Sequence, residues 1–399
     1  MLVAGSHLHA ADLDYALKLT TLGSRAPDDE LLYPDTSSAI GLARLRFNLT
    51  GSYGDLINAE LAYEHSARVT TDDAGKLTGA GILPSDAEAP YRLRQWDWEI
   101  DGDDEQYSWR HEIDRAFLAL HPPWGEVTVG RQAIGLGRGA LFGAMDIFAP
   151  FSPTEVDREW RRGVDAARTE YRFSDTASAE VMGAFGENSD ESAVLGRVRG
   201  YWGDVDAEFV AGRRGEDDMY GGSLSAAVGD SEVHAEAALF RTPEDQPDGG
   251  LFGESNLVGK AVLGASYTFD VGDGLTVLGE YHYSGFGVEN IEDVSARFTN
   301  ETFVARYLRG DTQILGRHAL ALQVTYPFVE TWTGTMLVMQ SPDDGSGLAA
   351  PSLLWDAAES TSVALSVLVP WGDEPVDGRF QSEYGGTPLS LTLQVSLYY

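Results

Sequence analysis

Leu389-Ser390-Leu391-Thr392-Leu393-Gln394-Val395-Ser396-Leu397-Tyr398-Tyr399 alternates without a break. Successive side chains of a β-strand point to opposite faces, so Leu389, Leu391, Leu393, Val395, Leu397 and Tyr399 share one face. Ser390, Thr392, Gln394, Ser396 and Tyr398 share the other. Such a strand has hydrocarbon on one side and water on the other, as in the wall of a transmembrane barrel. A soluble sandwich shows this pattern once or twice. Here it returns in residues 12–20, 42–50, 56–64, 163–173, 178–185, 194–202, 205–213, 231–240, 260–269, 275–283, 317–328, 331–340 and 362–371. Segments of about 9–11 residues match the length a tilted strand needs to cross a bilayer.

The composition narrows the alternatives. At 399 residues the chain would ordinarily divide into soluble domains, but no linker or composition break divides it, and a single barrel absorbs that length. No run of 18 apolar residues occurs, so a membrane role rests on strands. Residues 1–11 read as a leader remnant or tag, and 12–399 as the barrel. With no cysteine, disulfides, thiolate metal sites, covalent haem attachment and cysteine catalysis are excluded together. The net charge of −35 disfavours a nucleic-acid partner. Acids crowd the segments between strands, as at Asp28-Asp29-Glu30, residues 101–105, Glu216-Asp217-Asp218 and residues 244–248, and read as a solvated, cation-screened surface.

Short turns near residues 52–55, 122–125, 174–177, 202–204, 229–231, 271–274, 327–330 and 358–360 alternate with longer polar connections near 21–37, 71–105, 138–162, 186–192, 213–219, 243–257, 285–312, 341–351 and 372–388. Eight inner turns and nine outer loops join 18 strands, and an even count puts both termini on the periplasmic side. The expected fold is all-β: one antiparallel outer-membrane barrel. Tyr53, Trp124, Phe173, Trp202, Phe269, Phe328 and Trp332 at strand ends fit an aromatic girdle.

A barrel of this size encloses an aqueous channel, so its inward face decides what passes. Parity assigns Lys18, Arg44, Arg46, Arg115, Arg131, Arg168, Arg172, Arg197, Arg199, Lys260 and Arg317 to that face. It assigns Asp14, Glu60, Glu64, Glu170, Glu180, Asp206, Glu208, Glu236, Glu280 and Asp356 there as well. This lumen is near charge balance in a strongly acidic chain. An Arg-rich arc with interspersed carboxylates guides anions without trapping them, although mutual pairing across a polar wall explains the same residues. Only three of the 28 basic residues are lysines, which suits bidentate contacts to carboxylate or phosphate.

Residues 138–162 stand apart as the one apolar loop. Leu141, Phe142, Met145, Ile147, Phe148 and Phe151 would make a sticky surface if exposed, so the loop is expected to fold inward as a constriction. Ser152-Pro153-Thr154-Glu155 reads as the start of a short helix that projects Asp157, Arg158, Glu159, Arg161 and Arg162 into the channel.

The stretch Arg115-Ala-Phe-Leu-Ala-Leu, Gly125-Glu-Val-Thr-Val-Gly-Arg-Gln132 and Arg162-Gly-Val-Asp-Ala-Ala-Arg168 resembles the alginate-export family of outer-membrane barrels. The resemblance implies an 18-stranded, arginine-lined conduit for a polyanionic polysaccharide, with Arg131 and Arg168 as neighbouring lumen residues. The implied partners are outer-membrane lipid, an anionic solute or polysaccharide and, through the C-terminal strand, the barrel-assembly machinery. A barrel sheath around a partner's multihaem cytochrome, or another periplasmic partner, is the alternative. The eight histidines form no Ser/His/acid set on adjacent strand tips, so neither an enzyme nor a cofactor is expected. His234, Glu236, Glu280 and His282 could meet as a metal cluster only if their strands approach.

Overall fold

The computed structural model describes residues 11–71, 81–84, 89–101, 106–148, 150–243, 252 and 255–399. The leader reading of residues 1–10 and the acids at 102–105 and 244–248 fall outside them. The strands are β1 (Asp12–Arg25), β2 (Ser37–Tyr53), β3 (Ile57–Thr70), β4 (Asp97–Asp101), β5 (Tyr107–Leu120), β6 (Gly125–Gln132) and β7 (Val164–Ser174). They continue with β8 (Ala177–Ala184), β9 (Ala193–Trp202), β10 (Val205–Arg214), β11 (Asp217–Val228), β12 (Ser231–Arg241) and β13 (Leu257–Phe269). The last are β14 (Leu275–Ser284), β15 (His318–Val329), β16 (Trp332–Gln340), β17 (Gly347–Ala358), β18 (Thr361–Trp371) and β19 (Leu389–Tyr398).

Neighbouring strands are antiparallel, and β1 pairs with both β2 and β19, with Ala16 opposite Tyr398 and Arg25 opposite Leu389. The wall is therefore a closed barrel of 18 strands, which leaves no edge with unpaired amides. The short β4 is additional. It pairs with residues 108–112 of β5, beyond the point where the shorter β6 stops. The tight turns fall where the sequence places them, and the chain enters and leaves the wall at their end of the barrel. One expected long connection is absent: β10 and β11 are joined by Gly215 and Glu216 alone, with Gly215 at φ +56°. Polarity suggested a loop at 213–219, but a left-handed glycine reverses the chain in two residues.

Burial is inverted relative to a soluble β-protein. On β19, Leu389, Leu391 and Leu393 are 41–51% exposed, whereas Ser390, Thr392 and Ser396 are 2–3% exposed. The apolar face thus looks outward to lipid and the polar face inward. Rings cluster near the tight turns: Tyr15 stacks on Tyr399 with centroids 4.9 Å apart at the closing seam, and Trp332 stacks on Trp355 at 5.3 Å. Such rings sit at headgroup level.

The two faces should respond differently to charge. Leu393→Arg, which puts a guanidinium against hydrocarbon, is expected to lower folding stability by about 2–4 kcal/mol in lipid vesicles. Asn48→Arg, on the inward face of β2, should lower it by less than about 1 kcal/mol. Equivalent urea-unfolding curves for the two variants would contradict this placement.

Candidate functional site

The connection between β6 and β7, residues 133–163, runs into the bore. A backbone there is cut off from bulk water, so its N–H groups must find acceptors in the protein. Gly137 donates to Glu208 Oε1 at 3.3 Å. Arg138 and Gly139 donate to Glu236 Oε1, and Ala144 (2.9 Å) and Met145 (3.4 Å) to Glu236 Oε2. Ala140 donates to Glu280 Oε1 at 2.6 Å, and Leu141 and Phe142 to Glu280 Oε2 at 3.0 Å each. Gly143 donates to Gln313 Oε1 at 2.8 Å. Every N–H from Gly137 to Met145 is thus taken by a side chain outside the loop, three of them carboxylates on β10, β12 and β14. This is an anion nest filled from the wall. Gly137 and Gly139 are required, because a Cβ on either would overlap Glu236 or Phe142 O.

The same contacts absorb the histidine–carboxylate set weighed as a metal cluster. His234 Nε2 meets Glu280 Oε1 at 2.8 Å, and His282 stacks on Phe142 with centroids 4.8 Å apart. Among the described residues, no group of three or more His, Cys, Asp or Glu is placed to hold a metal ion.

Apolar packing reinforces the nest. Met145, Ile147 and Phe148 join Met182, Leu195, Val210, Met219 and Phe240 in one buried cluster. Leu141 and Phe142 join Val262, Ala321, Leu337, Met339 and Leu368 in another. This packing fills the bore along β7–β15, and Met339, Leu348 and Leu368 on β16–β18 border the outer cavity.

The loop then returns along the opposite wall. Asp157 bonds Lys18 Nζ at 2.7 Å and Arg44 at 3.0 Å, and Glu159 bonds Lys18 Nζ at 2.6 Å and accepts from Tyr398 Oη at 2.7 Å. Arg162 lies 3.8 Å from Glu112. Arg161 pairs with Asp146 and reaches Phe148 O at 3.2 Å. Arg158 donates to Ser152 O at 3.0 Å and to Pro153 O. The expected helix stops at its first turn: Ser152 N bonds Glu155 Oε2 at 3.2 Å, but no helical residues follow. Ion pairs of Asp157, Glu159 and Arg162 to the wall hold residues 157–162 in a non-helical path instead.

A second loop, between β14 and β15, narrows the bore further. It carries α1 (Val294–Arg297) and α2 (Glu301–Leu308), the latter capped by Asn300 Oδ1, which accepts from Thr302 N at 3.0 Å and Phe303 N at 3.2 Å. Arg306 binds Asp217 through two bonds of 2.8 and 2.6 Å and Asp311 at 3.1 Å, and Arg309 binds Asp311 at 2.8 Å. Gln313 Nε2 donates to Phe151 O at 2.9 Å, which ties the two loops together. Asp217 was read as solvated surface, yet it is 1% exposed beneath these arginines. Asp29 is buried as well, accepting from Gly378 N at 2.9 Å.

What stays open is a row of cavities on the β1–β7 side below an outer one that also reaches Met339, Leu348 and Leu368 on β16–β18. An outer one of about 790 Å3 is lined by Arg68, Glu155, Glu383 and Tyr384. A narrow one of about 160 Å3 is lined by Arg44, Arg46, Arg110, Glu112, Trp160 and Arg162. Toward the turn end lie one of about 590 Å3, with Arg46, Arg115, Glu60 and Glu159, and one of about 770 Å3, with Glu60, Arg115 and Arg168. Arg197 stands apart from these cavities in a wall ladder with Glu180 (2.5 Å) and Glu208 (3.6 Å). Arg199 pairs with Glu170 at 2.8 Å, and the exposed Arg172 lies 3.8 Å from Glu170.

Arg131 lies on the outward face of β6 and not in the lumen. It shares its face of β6 with Val127 and the exposed Val129, whereas Glu126, Thr128 and Gln132 line the bore. It is 1% exposed, held by Asp165 at 2.8 and 3.0 Å, with Trp96 beneath its guanidinium at 4.9 Å. Its place with the valines follows from the alternation of the strand itself.

No protein-family profile matches the chain, and no curated protein matches it, so the alginate-export likeness rests on its motifs alone. Solved structures match in fold. OccAB1 of Acinetobacter baumannii is 8% identical, covering 100% of this chain and 98% of that one, with a TM-score of 0.61. OccAB3 of the same organism is 9% identical over 98% and 99%, with a TM-score of 0.60. OccK11 (OpdR) of Pseudomonas aeruginosa is 9% identical over 98% and 97%, with a TM-score of 0.58. These are outer-membrane β-barrel porins, and the chain shares their fold of a closed, lipid-faced barrel.

Two outcomes follow for the loops. Glu236→Ala with Glu280→Ala strands seven loop N–H groups and should raise single-channel conductance by loosening the loop, with the heat-resistant barrel retained; unchanged conductance would show that apolar packing alone holds it. Burial pushes Glu155 and Glu383 each up to about 7 from the ordinary carboxyl range. Both are neutral below that pH and charged above it. Raising the pH from 5 to 9 should therefore add two negative charges to the outer cavity and shift reversal potential toward cations, and Glu155→Gln with Glu383→Gln should flatten that response.

Proposed function

We propose that the chain is an outer-membrane channel that passes anionic solutes along the β1–β7 side of its bore. The carrying observation is that the cavities left by the loops lie in a row against the wall where Arg44, Arg46, Arg110, Arg115, Arg162 and Arg168 gather. Arginines outnumber carboxylates in the 160 Å3 cavity, where Arg44, Arg46, Arg110, Arg162 and Arg309 face Glu64, Glu112, Asp114 and Glu155, so this narrow, poorly screened part sets the field for an anion, and the carboxylates there and in the neighbouring cavities keep it moving. On this reading the tight turns and both chain ends face the periplasm and the long loops face outward. β19 is the segment offered to the barrel-assembly machinery. A polyuronate would thread the 160 Å3 cavity one extended residue at a time. The sheath alternative fits less well, because the loop of residues 133–163 packed against β7–β15 occupies the space a multihaem cytochrome would need.

Changing Arg44, Arg46 and Arg115 together to glutamine should move reversal potential in a KCl gradient toward cations and weaken block by added polyuronate. The lysine triple variant, which keeps the charge, should stay near the parent. Asp28→Asn with Glu30→Gln, on the exposed rim, should have little effect, since charges beyond about 8 Å are screened at physiological salt. Equal shifts from rim and path would remove the arginines from any special role.

A further inference from the structure

Trp160 and Arg46 are the two side chains that line both the 160 Å3 cavity on the loop side and the 590 Å3 cavity on the turn side. The indole therefore stands at the partition between them. Three cations surround its ring: Lys18 Nζ is 3.9 Å from the centroid, Arg44 Cζ 4.9 Å and Arg46 Cζ 5.2 Å. The chain on either side is fixed, Glu159 by Lys18 and Tyr398 Oη and Arg161 by Asp146 and Phe148 O. The backbone is thus clamped, while the indole is held by cation–π attraction.

We infer that Trp160 is the gate of this passage. Lys18, Arg44 and Arg46 hold the indole across the partition, and an anionic solute opens it by taking over those cations. Lys18, Arg44 and Arg46 keep their pairs with Asp157, Glu159, Glu64 and Asp114, and the solute's carboxylate takes their remaining N–H groups in charge-assisted bonds that outweigh the attraction of a ring face. A neutral solute of the same size offers the cations nothing, so the indole stays in place. The inference deepens the anion-channel reading and rests on it for the trigger, but not for the gate.

Single-channel recording in KCl, together with uptake of D-glucuronate and D-glucose into proteoliposomes, tests it on Trp160→Ala, Trp160→Leu, Trp160→Phe and Trp96→Ala. Trp96 also lies under an arginine, Arg131, but lines none of these cavities. Trp160→Ala should raise KCl conductance by about twofold or more and lower the glucuronate-to-glucose uptake ratio from the parent's value toward the one the arginines alone set. Trp160→Phe should keep most of the parent's discrimination, and Trp96→Ala should match the parent. Trp160→Leu, which fills more of the space and lacks the ring face, is read in the same way if the alanine variant gives no heat-resistant barrel. Parent-like conductance in both ring-less variants overturns the gate and leaves the anion-channel reading, which depends on the arginines, standing. Equal uptake of glucuronate and glucose by the parent overturns that reading and the anion trigger with it, whereas raised conductance in Trp160→Ala would still support the gate.

Discussion

The interior of this barrel is organised by two wall carboxylates, Glu236 and Glu280, which together accept seven backbone N–H groups of the loop that crosses the bore. Each side of the contact solves the other's problem. The loop backbone lies where water is scarce and needs acceptors, and a buried carboxylate needs donors to offset its lost hydration. Hydrogen bonds to a charged partner contribute about 1.5–3 kcal/mol each in net terms, so the nest fixes the loop path more firmly than apolar contact of the same extent could. With residues 137–145 pinned to β10, β12 and β14, the rest of the loop must turn back across the lumen to reach β7, which brings Asp157, Glu159 and Trp160 against Lys18 and Arg44.

That path divides the arginines of the chain into two groups. One group is structural: Arg131 with Asp165, Arg197 with Glu180 and Glu208, and Arg306 with Asp217 and Asp311 hold wall or loops together. Breaking one such buried pair leaves an uncompensated charge and is destabilising. The other group, with Arg44, Arg46, Arg115 and Arg168, faces the open side of the bore while still paired to carboxylates. A pore with paired arginines presents alternating signs along its wall, which suits a solute that must enter and leave.

The wall was legible in the sequence because a strand with lipid on one side and polar interior on the other carries a strict period of two, and fourteen such segments with the alternation of short turns and long loops give the eighteen strands. The burial of this loop's apolar residues was legible too, since Phe142, Met145, Ile147 and Phe148 have no stable place in water. Distance around the bore was not legible. Parity says which face a residue occupies but not whether a loop covers it, so Arg197 and Arg46 read alike although only Arg46 lines a cavity. The nest was hidden because its donors are backbone groups, which leave no trace in residue type beyond Gly137 and Gly139. Helix α2 left a fainter signal in Asn300-Glu301 followed by Phe303 and Arg306, an N-cap with an acidic first turn and a basic last one. Eight residues within a long polar connection give too few turns for a helical period to stand out.

The central claim is that one side of the bore is filled by the docked loop and the other is open. The chain has no cysteine, so single cysteines report accessibility without background. Reaction rates with a small anionic thiol reagent should be measured for the barrel in lipid with cysteine at Asn48 or Thr50, on the open side, and at Ala238 or Val262, under the loop. Rapid labelling of the first pair and protection of the second is the result this account predicts. Labelling of all four at similar rates would show a bore open throughout and contradict it.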